Sequence, residues 1–190
     1  MRDGTATKNK INRVAMELFA EKGVTETTTK DIAAGAGIAE GTIYRHYKSK
    51  DELVKKLFLS LYEEQGKYLQ EIASTGKDSK QKIADMIVRF CQLFAEDKAL
   101  FTFLLLTQHG QLKEVPDDMI TPVVVLRDLI AQGQSDGRIK QGDPDFMAAM
   151  VLGVVIQPAV FHVYGRLTQD YKSFIQDLTE AAWSIVRLDE

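Results

Sequence analysis

The sequence predicts an all-α protein of about nine helices, with a three-helix N-terminal domain over residues 1–50 and a larger helical domain over residues 51–190. Three observations predict it. Apolar residues recur at i, i+3, i+4 and i+7 almost throughout, no segment alternates with the period of a strand, and helix-capping signals recur along the chain.

The first helix carries Ile11, Val14, Ala15, Leu18 and Phe19 on one face, with Thr7 as its expected cap and Gly23 as its stop. Thr28 with Asp31 three residues on is a capping-box variant that opens a short helix over about 29–34, broken by Gly35 and Gly37. A second short helix is expected over about 40–47. Ser49 and Glu52 form a fuller capping box, opening a long helix with Leu53, Leu57, Phe58, Leu61, Tyr62 and Leu69, closed by Gly76. Ile83, Met86, Ile87, Phe90, Cys91 and Phe94 mark the next, and 98–108 is short and strongly apolar. Pro116 is expected to open a helix reaching about 132, with 133–142 as a loop. Asp143-Pro144 opens another in the favoured way, cap first and proline in the first turn, kinked at Pro158 and ending near Gly165. The last helix is expected over 168–187, with Phe174, Ile175, Leu178, Ala182 and Trp183 inward.

Composition narrows the functional classes. The 190 residues are 45% hydrophobic and 27% charged, ordinary for a soluble globular protein. The most apolar run, 146–164, contains Gly153, Gln157, Pro158 and His162 and reads as a buried helix rather than a membrane span. The first ten residues have no apolar signal core, so the cytoplasm is the expected compartment. The single cysteine, Cys91, permits no internal disulfide and no cysteine-rich zinc site; no metal or cofactor is expected. Net charge is −3, but it is polarised. Residues 1–50 hold nine basic and six acidic side chains, while the remainder holds 15 basic and 21 acidic. A basic front end on an acidic body suits a protein that sets one end against phosphate.

The informative stretch is residues 23–52. Two short helices joined by a glycine-containing turn form a helix-turn-helix, with Ile32, Ala33, Ala36 and Ile43 as its small core. Gly41 allows close backbone approach, and Thr42 offers a hydroxyl and a methyl group. Tyr44, Arg45, His46 and Tyr47 can reach phosphates or base edges, and Lys48 and Lys50 follow directly.

Over residues 7–53 the sequence resembles the TetR-type bacterial transcriptional regulators. The resemblance rests on the Gly23 stop, Thr28-Thr29, Asp31-Ile32-Ala33, Ala36-Gly37-Ile38, Gly41-Thr42-Ile43-Tyr44, His46-Tyr47 and Ser49-Lys50-Asp51-Glu52-Leu53. It implies that Thr28 and Thr29 bind phosphate, that Lys30 meets a base or a phosphate, and that Glu40, Gly41, Thr42 and Tyr44 face the major groove. It further implies that His46, Tyr47 and Lys50 contact phosphate. Ala39 departs from the Ser or Thr that commonly caps the recognition helix in the family. Glu40 is unusual beside phosphates; it can accept from cytosine N4 or favour the helix N-terminus through the dipole.

Beyond residue 53 the resemblance implies only helix count and a paired final pair of helices. Phe90, Phe94, Phe103, Leu106, His109, Gln157, Phe161 and His162 are candidates to line a largely apolar effector pocket; Gln157 and His162 stand out as polar groups in an apolar helix that need a partner. Phe146, Met147, Met150, Val151, Val154 and Val155 make the eighth helix apolar on more than one face, so it must be buried on several sides. Phe146, Met150, Val154 and Trp183 are the candidate homodimer contacts. The expected function is a sequence-specific DNA-binding regulator, a repressor released from a palindromic double-stranded operator by a small molecule. The alternative is a dimeric DNA-binding regulator or activator without a ligand. No phosphate-binding glycine loop, zinc motif or nucleophile elbow points to an enzyme.

Overall fold

The computed structural model describes residues 4–188. Among them are nine α-helices and no strand: α1 Gly4–Lys22, α2 Thr29–Ala36, α3 Glu40–Ile43, α4 Lys50–Ala73, α5 Ser79–Glu96, α6 Lys98–Gln111, α7 Pro122–Ser135, α8 Pro144–Val163 and α9 Ile175–Val186. The chain forms two compact units. One runs to Leu61 and takes in Lys98–Asp117; the other holds Tyr62–Asp97 and the chain from Asp118 onward. The 1–50 domain expected from sequence lies within the first unit, which also contains the opening of α4 and all of α6.

In the first unit the core is built from one face of each helix. Ile11, Ala15 and Phe19 of α1, Ile32, Ala33 and Ala36 of α2, Ile43 of α3, and Leu53, Leu57 and Phe58 of α4 are all buried. Phe103 of α6 is buried in the same unit and stacks on Phe19, ring centroids 5.9 Å apart. α1 starts ahead of Thr7, which lies inside the helix instead of capping it; nothing from Gly4 onward breaks a helix, and Ala6 favours one. Thr28 caps α2 as expected, accepting from the Asp31 N–H while the Asp31 carboxylate accepts from Thr28. Those bonds from Thr28, its hydroxyl first, hold the Asp31 carboxyl below its ordinary value. Gly35 does not break α2. It stays helical with Val14 packed over it so closely that a Cβ there would meet Val14 Cγ1 at 2.7 Å. The break is Gly37 alone, left-handed at φ +59°.

The expected helix over 40–47 is a single turn, α3, followed by tight turns in which Arg45, His46 and Tyr47 N–H groups return to Thr42 and Ile43 carbonyls. Ala39 provides no side-chain cap, so the segment begins with nothing to extend it. At the head of α4, Ser49 accepts from the Glu52 N–H at 3.1 Å, while the Glu52 carboxylate accepts from the Lys48 N–H rather than from Ser49.

In the second unit several helix ends differ from the sequence expectation. α4 ends at Ala73, before Gly76, where Ser74 and Thr75 hydroxyls donate to the carbonyls of Gln70 and Ile72. α7 starts at Pro122, not Pro116. Thr121 is a side-chain cap, accepting from Val124 N–H at 3.2 Å, and Val115 before Pro116 cannot act as one. α7 also continues into the expected loop as far as Ser135. There Gly133 is covered by Ile139, and the buried Gln134 amide donates to the carbonyls of Lys140 at 3.0 Å and Gly142 at 3.1 Å, folding the loop back on the helix. The last helix is shorter than expected. Asp170 caps a 3-10 turn, Tyr171–Phe174, and α9 follows it.

α8 opens at the Asp143 cap with Pro144 in its first turn. Met147, Ala148, Val151, Val155 and Ala159 are buried against neighbours in the unit. Within the single chain only 28% of its apolar stretch is buried, and Phe146 is 63% exposed, so the rest of that apolar surface is left uncovered by this chain. By length and composition α8 could cross a membrane, but its packing against α7 and α9 is that of a helix within a helical layer.

Candidate nucleic-acid interface

Two short helices bring several of the candidate DNA-contacting residues together. Thr28 and Thr29 sit at the head of α2, and Tyr44 follows α3. With Lys48, Ser49 and Lys50 they line an open hollow of about 470 Å³. Lys30, Glu40, Gly41, Tyr44, Arg45 and Lys48 are exposed; Thr42 and His46 are half-buried. Tyr44 presents 51% of its surface, unusual for a large aromatic side chain unless it has something to meet. The hollow brings together hydroxyls, an aromatic edge and ammonium groups, the set that contacts phosphate and base edges.

Within this surface Thr29, Glu40 and Tyr44 are linked. The Thr29 hydroxyl donates to Glu40 Oε1 at 2.6 Å, and the Tyr44 hydroxyl lies 3.2 Å from the same Thr29 oxygen. A hydroxyl has one proton. With Thr29's proton given to Glu40, Tyr44 donates to Thr29, and the relay runs from Tyr44 through Thr29 to the carboxylate.

Two residues sit differently from their sequence-based reading. The Tyr47 ring is 2% exposed and its hydroxyl donates to Asn12 Oδ1 of α1, so the ring is a core element under α3. Burial is the main cause that raises its phenol above the ordinary value. The Lys50 ammonium donates to the carbonyls of Val24 at 2.8 Å, Thr25 at 3.3 Å and Thr27 at 2.9 Å, tying down the α1–α2 connection. Sequence reasoning missed Asn12, for which nothing local signals a partner 35 residues away. It also missed Lys8, whose Nζ lies 6.0 Å from the Tyr47 ring centre, and Lys10, whose Nζ approaches Gly37. The basic excess of residues 1–50 was the available signal for both.

In the second unit, three of the candidate effector residues come together. Phe94 lies edge-on to His162 with centroids 4.8 Å apart, and 4.8 Å from Tyr171; Phe90 lies 6.2 Å from Tyr171. His162 Nε2–H donates to the Gln169 carbonyl at 2.9 Å, whereas its Nδ1 is buried with no partner among the described residues. Tyr171, which sequence reasoning did not single out, is 1% exposed at the centre of this cluster. Gln157 and Phe161 are exposed, with the Arg166 guanidinium 5.7 Å from the Phe161 ring centre. Phe103 and Leu106 belong to the first unit, Phe103 as part of its core and Leu106 exposed. The His109 side chain lies outside the described residues.

Residues 11–57 match the family described as bacterial regulatory proteins, tetR family. Over 149 residues, 74% of this chain and 75% of the other, the sequence is 29% identical to the fatty acid metabolism regulator protein of Bacillus subtilis. It is 37% identical over 75 residues to the HTH-type transcriptional repressor KstR2 of Rhodococcus jostii, spanning 39% of this chain and 36% of that one. The fold is similar to that of the fatty acid degradation regulator FadR from Bacillus halodurans, with a TM-score of 0.83 at 19% identity over 92% of this chain and 93% of that one. It is also similar to FadR from Bacillus subtilis in complex with stearoyl-CoA, with a TM-score of 0.77 at 22% identity over 94% and 99% of the two chains.

Proposed function

Since this chain is a TetR-type DNA-binding transcription regulator, we propose that it acts in the cytoplasm as a homodimeric repressor, released from a palindromic operator by an effector with a long acyl chain. The observation that carries the DNA-binding role is the exposed hollow in which Thr28 and Thr29 meet Tyr44, Lys48 and Lys50. Its hydroxyls and cations suit phosphate, and the α3 segment beside it presents Glu40, Gly41 and Tyr44 outward to a groove.

The dimer reading is supported by the uncovered face of α8. Phe146 is 63% exposed, Met150 and Val154 are half-buried, and Trp183 of α9 is half-buried. A second copy related by a two-fold axis covers such a face and sets two recognition segments against two half-sites. The effector reading is supported by the kinship with the Bacillus subtilis fatty acid regulator and by the aromatic cluster of Phe90, Phe94 and Tyr171. Within that cluster the unpartnered His162 Nδ1 is the polar group an effector engages. A ligand of this kind shifts operator affinity only by binding one conformer better than the other.

The test is selection of genomic fragments by the purified protein, followed by anisotropy titrations of the enriched site with stearoyl-CoA, stearate or coenzyme A. A shared palindrome bound by a dimer, with affinity lowered about 5- to 150-fold by the acyl thioester, is the expected result. An operator affinity unchanged by all three, even where they raise the melting temperature, rejects the effector and leaves a ligand-independent regulator.

A further inference from the structure

Glu40 is a carboxylate on a surface proposed to face a polyanion, an arrangement that costs affinity unless it is used. The side chain does not turn away into solvent, because the Thr29 hydroxyl holds Oε1 at 2.6 Å. Thr29 is in turn engaged by the Tyr44 hydroxyl at 3.2 Å. Both protons of this relay point toward the carboxylate. What remains outward is a set of acceptors: the free lone pairs of Glu40 and those of the Tyr44 oxygen.

An all-acceptor edge discriminates sharply among the bases in the major groove. Guanine offers N7 and O6, both acceptors, and thymine offers the O4 acceptor and a methyl group. Adenine offers the N6 amine, but beside the N7 acceptor, which repels a carboxylate. Cytosine offers the N4 amine with an acceptor on one side only, the O6 of its paired guanine, whereas adenine N6 is flanked by N7 and by the O4 of its paired thymine. Resting on the reading of this surface as the DNA interface, we propose that Glu40 determines specificity by accepting from the N4 amine of one cytosine in each operator half-site, held in position by Thr29 and Tyr44. Lys48, which lines the same hollow as Thr29 and Tyr44, offsets the repulsion between the carboxylate and flanking phosphates.

The experiment is selection from randomised double-stranded DNA with the full-length protein, run in parallel for wild type, Glu40→Gln and Glu40→Ala, with the melting temperature of each recorded. Wild type is expected to enrich a palindrome with a fixed cytosine at one position of each half-site. Glu40→Gln, which has one donor and one acceptor, is expected to admit adenine there and to lose about tenfold in preference for cytosine. Glu40→Ala is expected to accept any base at that position while keeping the rest of the motif. Identical motifs for all three proteins would overturn the proposal and leave Glu40 a helix-end charge. Failure of wild type to enrich any motif would instead overturn the DNA-interface reading, and this inference with it.

Discussion

The Tyr171 hydroxyl donates to the Val155 carbonyl at 2.7 Å, across 16 residues, in the turn of α8 that contains Pro158. Pro158 cannot donate to the Val154 carbonyl, which loosens the helix at this point. The Ala159 N–H, the usual partner of Val155, faces the same tyrosine oxygen. The side chain thus satisfies a carbonyl in the turn of α8 that holds Pro158. Tyr171→Phe is expected to destabilise the protein by about 1–3 kcal/mol in urea unfolding, the cost of a buried polar group left unpaired, with helix content unchanged. A loss below about 0.5 kcal/mol would mean that the Val155 carbonyl is satisfied without the hydroxyl.

Tyr44 and Tyr47 are three residues apart and have opposite exposures, 51% and 2%. Tyr44→Ala is expected to weaken operator binding and leave the melting temperature unchanged. Tyr47→Ala removes a core ring and its bond to Asn12, and is expected to cost about 3–5 kcal/mol of folding stability. Thermal melts beside operator titrations separate the two, and equal melting temperatures for both variants would refute the distinction.

Lys50 holds three carbonyls at the end of the α1–α2 connection. Lys50→Met keeps most of the stem and removes those donors, so a stability loss of about 1.5 kcal/mol is expected along with weaker DNA binding. If chemical denaturation of this variant matches wild type while operator affinity falls, the ammonium serves phosphate alone.

Burial pushes the Cys91 thiol up to about 11, against about 8.5 for an unfolded cysteine. The folded thiol therefore keeps its proton where the unfolded one has lost it. Its contribution to stability is complete below about pH 8.5 and is lost as pH climbs toward 11. At pH 8 a thiol reagent is expected to leave native protein unlabelled and to label denatured protein fully. Between pH 8.5 and 11 the melting temperature of wild type is expected to fall further than that of Cys91→Ala; rapid native labelling at pH 8 would contradict the burial.

What was legible in the sequence was local. The Thr28–Asp31 box, the Gly23 and Gly37 stops and the Asp143-Pro144 start are each decided within four residues, and the structure has them where the pattern puts them. Pro116 and Pro122 are equally good helix openers by type, and the Thr121 hydroxyl decides between them. Long-range partners left no such trace. Tyr47 with Asn12, Tyr171 with Val155, and Phe103 with Phe19 are joined only by the fold, so an aromatic residue that reads as a contact or a pocket wall from its neighbours can be core. On the candidate interface, the residue types were readable but the Tyr44–Thr29–Glu40 relay was not, because it spans two helices.

α3 is one turn long, has no side-chain cap, and is seated on the buried Ile43 with the Tyr47 ring beneath the turn that follows. The proposed reading edge therefore has no rigidity of its own and borrows it from the packing below. A lesion in that packing too small to unfold the chain would still misplace the edge. In a living cell it would register as constitutive expression of the target genes while the protein itself stayed abundant, and more so at higher growth temperature. Genetic screens for derepression would then recover conservative changes at Ile43 and Asn12 alongside those at the surface residues proposed to touch DNA.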